Sequence, residues 1–485
     1  MSSANLILYW PSKVVQSCLN LRLSNIRQVR KARPFKLVRE FLHDPIKSIQ
    51  EISDKYGDIA YFKLGRQRIY LLNNPDYIEK VLVYGHRNFT KGKKLQVAKA
   101  ILGEGLVTSE GELHTRQRRI IQPIFHPKQV SVYGKIVTEF ATNMELRWKN
   151  GETLDISKEM MQLTLGIICK SVLNYDVASE AEGYGKALTT LINHGKRLKS
   201  PLGHVLNKIP ILPSVKGARE AKEKLDELVY GLVQQRREAI QSKVKSYDDL
   251  LSHLLQAQDN GKSSSRATTA SNFDSSSLGM SDKQARDEVM TIFLAGHETT
   301  ANALTWTFYL LSQNPTIDAK LLEELKSVIG DTGTVTVEDI PKLEYTEKVL
   351  RESMRLFPPV WSMSRHVDSD FTLGDFTIPE ASSIVMSQYV MHRNPLYYNE
   401  PNMFYPDRWN AKMRSSLPRF SYFPFGGGMR ACIGEAFAWM EGILVLANIA
   451  QSWKMKLVRG HPVELDPGIT LRPKYGMKMK LERRN

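Results

Sequence analysis

Apolar residues recur at three- and four-residue spacing over most of this chain and alternate only in short stretches. From Pro127 to about Gln256 the spacing is helical, with breaks near Gly151, Ser200 and Pro213. The longest periodic run predicts a helix that opens with Ser281 or Asp282 as its cap and stops at Asn314-Pro315. At 1.5 Å per residue it reaches roughly 45 to 50 Å, enough to cross a whole domain. Asp287, Glu288, His297 and Glu298 interrupt its apolar positions, which argues against a lipid-facing span. Two more helices are predicted, over 345–356, ended by Pro358-Pro359, and over 435–453. Alternation is confined to Ile59, Tyr61 and Ile69, Leu71, which flank Gly65-Arg66-Gln67 as a hairpin, and to strands at 371–378, 384–389, 453–458 and 477–481. The pattern predicts a mainly α chain with a small β region gathered near its two ends. Residues 258–279, rich in Ser, Thr, Asn and Gly, read as one surface loop between helices, and no linker or internal repeat divides the chain.

Composition narrows what such a chain does. With 42% hydrophobic residues in 485, it can bury a large core. Its net charge of +16 fits nucleic acid, a membrane surface or an acidic protein partner. No zinc-finger spacing or aromatic-basic RNA motif supports nucleic acid. The apolar cluster from Leu6 to Trp10 is cut off by Pro11, too short to span a bilayer and without a basic segment before it, so neither secretion nor a membrane anchor is expected. Residues 1–40 form a basic extension that suits a solvated helical face or weak contact with an anionic membrane surface. The expected location is the cytoplasm, peripheral to a membrane at most.

Three cysteines in 485 residues rule out a disulfide scaffold, and iron–sulfur clusters and structural zinc need more ligands in short spacings than Cys18 and Cys169 offer. Cys432 differs from both. It lies in Phe425-Gly-Gly-Gly-Met-Arg-Ala-Cys-Ile-Gly434, at or just before the N-terminus of the helix predicted from Glu435. Free amides and the positive end of the helix dipole favour its thiolate. The residues leave three uses open: a catalytic nucleophile, a redox thiol, or a single axial ligand to a cofactor held by other contacts. Haem iron suits the last, since the porphyrin supplies the four equatorial ligands.

Ala295-Gly-His-Glu-Thr-Thr300, in the middle of the long helix, is a poor choice for helix stability. Gly296 and Thr299, three apart, and Ala295 and Thr299, four apart, share faces whose small groups make room for a flat cofactor or small ligand. The Thr299 hydroxyl is expected to bond back to the carbonyl of residue 295. Glu352 and Arg355, three apart on the predicted helix, form a pair that on a surface would contribute about 0.2 to 0.5 kcal/mol.

Phe425, Gly428, Arg430, Cys432 and Gly434 together spell Phe-x-x-Gly-x-Arg-x-Cys-x-Gly, which resembles the haem-ligand signature of the cytochrome P-450 family. The resemblance extends over about 40–485, with the other motifs in order, and implies a catalytic domain over 41–485 with the cytochrome P-450 fold: a helical domain whose long central helix lies over the haem, and a minor sheet domain. It implies heme b (iron protoporphyrin IX) with Cys432 as axial thiolate and metal ligand, Arg430 paired with a propionate, Gly428 and Gly434 close to the ring, and Phe425 packed on the sulfur side. Arg365 and Arg118 match further propionate arginines. The Trp that usually precedes Arg118 by four residues is replaced by His114, whose imidazole can donate one hydrogen bond. Thr299 and Glu298 match the oxygen-activation motif, with Thr299 binding dioxygen and Glu298 relaying protons. His297 is the variable position and receives no role. Glu352, Arg355 and Arg408 of Pro406-Asp-Arg-Trp409 match an internal triad that locks the cysteine loop.

The implied activity is that of a monooxygenase inserting one atom of dioxygen into a lipophilic substrate, with a peroxide-using peroxygenase, a haem-thiolate isomerase and a non-catalytic haem sensor as alternatives. Similarity to fatty-acid and carotenoid hydroxylases is confined to short stretches. Expected cavity residues are the loop 95–107, Ile292, Ala295, 360–363 and Tyr475-Gly476. No flavin or iron–sulfur domain follows the signature, so an acidic ferredoxin or flavodoxin is the expected electron donor, docking on Lys412, Arg414, Arg419, Arg116 and Arg119.

Overall fold

The computed structural model describes residues 39–484 apart from 199–211, 243–248, 257–279 and a few isolated positions; the basic extension to residue 38 and the loop expected at 258–279 lie outside the described residues. Helix α1 (Pro45–Tyr56) leads into strands β1 (Ile59–Leu64), β2 (Gln67–Leu72) and β3 (Phe89–Lys91). Helices α2 (Gly111–Ile121) and α3 (Gly134–Glu145), strand β4 (Thr153–Asp155), then α4 (Ile156–Leu173), α5 (Ala181–Leu198) and α6 (Pro213–Ser242) follow. Next come the long α7 (Asp282–Gln313), α8 (Pro315–Ile329) and α9 (Glu344–Leu356). Strands β5 (Met363–Val367), β6 (Phe371–Leu373), β7 (Phe376–Ile378) and β8 (Ser383–Met386) precede α10 (Glu435–Ser452). The chain closes with β9 (Trp453–Leu457), β10 (Leu465–Pro467), β11 (Leu471–Pro473) and β12 (Lys478–Arg483).

Helix α7 starts where the sequence predicts, because Ser281 and Gln284 close a reciprocal capping box. It ends at Asn314 because Pro315 cannot continue the hydrogen-bond ladder and opens α8 instead. It runs through the core, packing along α4 and against α6, α9 and α10. Its apolar and polar positions are buried alike, which explains why its charged residues interrupt the pattern without making it a surface helix. Trp306 stacks on Phe357 with ring centroids 4.3 Å apart and donates Nε1 to the Leu471 carbonyl at 3.0 Å, tying α7 to β11.

The main sheet has the order β1-β2-β8-β5-β3, with β2 and β8 parallel and the other neighbours antiparallel. A second sheet, β4-β12-β9, joins residues more than 300 apart in sequence, and β6-β7 and β10-β11 are separate pairs. The expected hairpin at residues 59–72 is present. The single strand expected over 371–378 is a tight pair, because Gly374 takes φ +61° and reverses the chain. The strand expected to 389 stops at Met386, where Ser387 caps a short helical turn. Among the described residues, no helix is long and apolar enough to cross a membrane.

Candidate active site

Cys432 sits in a loop shaped by its glycines. Gly428 has φ +67°, and a Cβ there would lie 1.9 Å from the Leu82 carbonyl oxygen. The sequence reading had Gly428 and Gly434 making room for a ring. Gly428 also makes room for backbone of the neighbouring segment, and a Cβ at Gly434 would meet no protein atom within 4 Å. The Cys432 amide donates to the Phe425 carbonyl at 2.9 Å, and Phe425 packs against Trp439 of α10 with centroids 5.9 Å apart. Arg118 Nη1 donates to the Ala431 carbonyl at 2.8 Å. The Cys432 side chain is accessible although protein crowds closely around it. Burial pushes the thiol up to about 11, against the pull of the Gly434 amide and the Arg118 guanidinium. The amide at the helix terminus favours thiolate, as the sequence predicts, but desolvation outweighs it.

Three residues distant in sequence form a network with the segment that precedes this loop. Glu352 Oε1 accepts from Arg355 Nη2 and Arg408 Nε, both at 2.8 Å, and its Oε2 accepts from Arg355 Nε at 2.9 Å and Trp409 Nε1 at 2.8 Å. The remaining guanidinium hydrogens go to backbone carbonyls, with Arg355 reaching His392 and Pro401 and Arg408 reaching Asn399 and Glu400. Glu352 and Arg355 are fully buried, so this is a closed interior network and not the surface pair their spacing alone would suggest.

Beside the cysteine loop, cations gather with little to balance them. Lys91 and Arg365 stand directly opposite in the β3–β5 pairing, an arrangement of like charges that is destabilising by itself. Arg118, His114 and Arg430 are close enough to act on the same groups. Burial first, then Lys91 and the arginines, push His114 down to about 4, so it is a neutral imidazole at pH 7. Burial and Arg430 bring Arg365 down to about 10, and burial takes Lys91 down to about 7. Glu110 is the one carboxylate in direct contact, pairing with Arg430 at 2.5 Å and accepting the Lys91 amide at 2.6 Å. Lys91 Nζ donates to the Leu106 and Ser109 carbonyls at 2.8 and 2.6 Å, so the three guanidinium groups of Arg118, Arg365 and Arg430, with Glu110 paired to Arg430, are what fit a dianionic group such as the two propionates of haem. Lys91 and Glu110 were not predicted; nothing in their local sequence separates them from the many exposed charges nearby.

At the middle of α7, Ala295 is exposed and Leu294, Gly296 and Thr299 are half-buried, in a helix that is otherwise mostly packed. Thr299 Oγ1 donates to the Ala295 carbonyl at 2.8 Å, as its position predicts. Gly296, expected on the cofactor side, faces α4, where a Cβ would lie 3.0 Å from Ile168. Glu298 turns away from its neighbours on α7 to Arg472, at 2.5 Å, and to the Thr470 hydroxyl.

An apolar cavity lies over α7 and is lined by Ala98, Ile101 and Leu102 of the expected loop, Met290 and Leu294 of α7, and four α5 residues. Those four, Leu188, Leu191, Ile192 and Gly195, were missed, although their helical spacing marks one face. The C-terminal hairpin contributes Ile469 instead of the expected Tyr475, which is 46% exposed and reaches Glu464. Ile292 is packed in the core and is not a lining residue. Of the expected docking cations, Arg414 pairs with Glu347 at 2.6 Å and Arg419 with Glu79 at 3.5 Å, while Lys412 is exposed.

The fold and these residues define a protein built to hold a haem against a cysteine. The family model described as cytochrome P450 matches residues 34–481. The chain is 34% identical over 418 residues to cyclooctatin synthase of Streptomyces melanosporofaciens, covering 86% of this chain and 87% of that one. It is 32% identical to cyclooctat-9-en-7-ol 5-monooxygenase of the same organism, with 84% of each covered, and 30% identical to pentalenene oxygenase of Streptomyces avermitilis, with 90% of each covered. The crystal structure of the cytochrome P450DA haem domain superposes with a TM-score of 0.80 at 22% identity, over 92% of this chain and 95% of that one. The chain therefore belongs to the cytochrome P450 family. It is a haem-thiolate monooxygenase, an oxidoreductase that incorporates oxygen from O2.

Proposed function

We propose that this enzyme oxygenates a cyclic terpenoid, with Cys432 as the axial ligand of haem b and a separate acidic ferredoxin or flavodoxin as electron donor. One observation carries the reading: an accessible cysteine in a glycine-shaped loop, beside buried cations short of negative charge. When bound, the haem supplies the redox chemistry that activates dioxygen. Arg118, Arg365 and Arg430 bind the propionates, and His114 offers a neutral N–H. Phe425, Gly428 and Gly434 keep the shape of the cysteine loop, and Glu352, Arg355 and Arg408 brace the segment before it. Thr299 and Glu298 hold and pass the protons that dioxygen reduction consumes, which favours dioxygen over peroxide as oxidant. Residues 41–485 act as one catalytic domain behind the basic extension.

The cavity wall supports the substrate class. Ile101, Leu102, Leu188, Leu191, Leu294 and Ile469 are aliphatic, and among the described residues no charged or hydrogen-bonding side chain joins them to meet a carboxylate. Two relatives are named for pentalenene and cyclooctat-9-en-7-ol. The strongly basic balance of the chain, with Lys412 exposed, supports an acidic donor.

The test is spectroscopic. Reduced protein under carbon monoxide is expected to give the long-wavelength Soret band of thiolate-ligated haem, and Cys432→Ser to lose it. Thr299→Ala should keep the band but divert reducing equivalents to peroxide. Cyclic terpenes should shift the spin state of the ferric protein where fatty acids do not. A fatty-acid response of equal size would overturn the substrate assignment. Donor-supported turnover should fall steeply with salt, and a salt-independent rate would argue against an acidic donor.

A further inference from the structure

Glu298 is held from outside its own helix. Its Oε1 accepts from Arg472 Nε at 2.5 Å and from the Thr470 hydroxyl, and both donors belong to the loop and strand of the β10–β11 pair. Asn302, one turn further along α7, donates Nδ2 to Thr470 Oγ1 at 3.3 Å, which closes a ring from helix to hairpin and back. The ring is interior: Glu298 and Asn302 are each 2% exposed and Thr470 4%. Both bonds fall on the same carboxylate oxygen, and among the described residues no protein donor reaches Oε2. The guanidinium is also only half used, since Arg472 Nη2 is buried without a partner.

The hairpin holding these donors is itself anchored. Trp306 Nε1 donates to Leu471, the Leu471 amide donates to the Pro359 carbonyl at 2.8 Å, and Trp361 Nε1 donates to Gly468 at 3.2 Å. Between Gly468 and Thr470 stands Ile469, which lines the apolar cavity. One rigid element therefore walls the substrate cavity and sets the orientation of the acid on α7.

We propose that Arg472 is a positioning residue for proton delivery. It pins Oε1 of Glu298 to the hairpin and leaves Oε2 as the oxygen that exchanges protons. A proton taken up on Oε2 from the solvent side is released toward Thr299, the carboxylate is regenerated, and Arg472 keeps its own proton throughout. The idle Nη2 lets the carboxylate slide along the guanidinium without leaving it. The inference rests on the relay role proposed for Glu298 and extends it to a residue 174 positions away.

The experiment uses the haem-loaded full-length enzyme with a reductase–ferredoxin pair, measuring product and peroxide per electron pair consumed, together with the solvent isotope effect on turnover. Glu298→Gln tests the relay, and Arg472→Gln, Arg472→Lys and the double variant test the inference. Arg472→Gln should lower coupled turnover roughly ten- to a hundredfold with the carbon monoxide band unchanged, because a misdirected proton donor loses that much. Arg472→Lys should recover most of it, and Arg472→Gln should add little to Glu298→Gln. If Glu298→Gln stays coupled, the relay reading fails. If Glu298→Gln uncouples while Arg472→Gln behaves as wild type, the relay stands and the role of Arg472 is overturned. Should Arg472→Gln not retain haem, Thr470→Val, which removes the second donor from the same oxygen, decides the matter: partial uncoupling is expected, and unchanged coupling overturns the proposal.

Discussion

Glu352 accepts four side-chain hydrogen bonds from three residues while fully buried, and both arginines are themselves tied to backbone carbonyls. Removing the carboxylate leaves two guanidinium groups in the interior without an anion. Glu352→Ala should therefore lose about 3 to 5 kcal/mol of stability and yield protein with little haem, measurable by denaturant melts and by the haem-to-protein absorbance ratio. At this scale the sequence was informative about residue types and not about partners. The spacing of Glu352, Arg355 and Arg408 resembles the family triad, yet spacing alone gives a weak surface pair; burial changes its meaning. Arg430 was read as a propionate partner, and its guanidinium also pairs with Glu110, whose part no local pattern announces.

Elements were read best where local chemistry decides them. The α7 boundaries follow from a capping box and a proline, both written in adjacent residues. The β6–β7 pair and the short turn after β8 were missed as separate elements because a glycine with positive φ and a serine cap act over one or two residues, below the resolution of an alternation pattern. Gly428 shows an element contact that no local pattern carries. Its missing Cβ accommodates the Leu82 carbonyl, so Gly428→Ala must displace either that segment or the cysteine loop. The expected outcome is a shifted or split carbon monoxide band and faster haem loss to apomyoglobin, with the fold retained by circular dichroism. An unchanged band and haem off-rate would show that the loop tolerates the added methyl.

For the whole molecule, buried carboxyl groups set a pH dependence. Glu441 on α10 is 1% exposed, and neither oxygen makes a hydrogen bond; the Thr300 hydroxyl lies near it without adopting bonding geometry. Burial pushes its carboxyl up to about 8, and the same cause raises Glu145 and Glu288 to about 8. The folded protein keeps this proton while the unfolded chain releases it near 4.5. Between those values the folded state binds more protons, so stability falls as pH rises, by about 1.4 kcal/mol per pH unit for each fully shifted group. Glu441→Gln should gain stability over wild type as pH goes from 5 to 8, measured as a widening gap in Tm. A gap that stays constant or narrows would contradict the assignment.

What the sequence determined by itself was whatever depends on neighbours along the chain: the extent of α7, the mainly helical class, the glycine-rich presentation of Cys432 and the back-bonding of Thr299. These rest on backbone geometry and hydrogen bonds closed within a few residues. The tertiary structure alone decided which charges face each other. It set Lys91 against Arg365, tied Glu298 to Arg472, lined the cavity with α5 and Ile469, and raised the Cys432 thiol. The reason is physical: the strength of an electrostatic contact and the cost of burial depend on distance and solvent exclusion, and both arise only when segments hundreds of residues apart pack together.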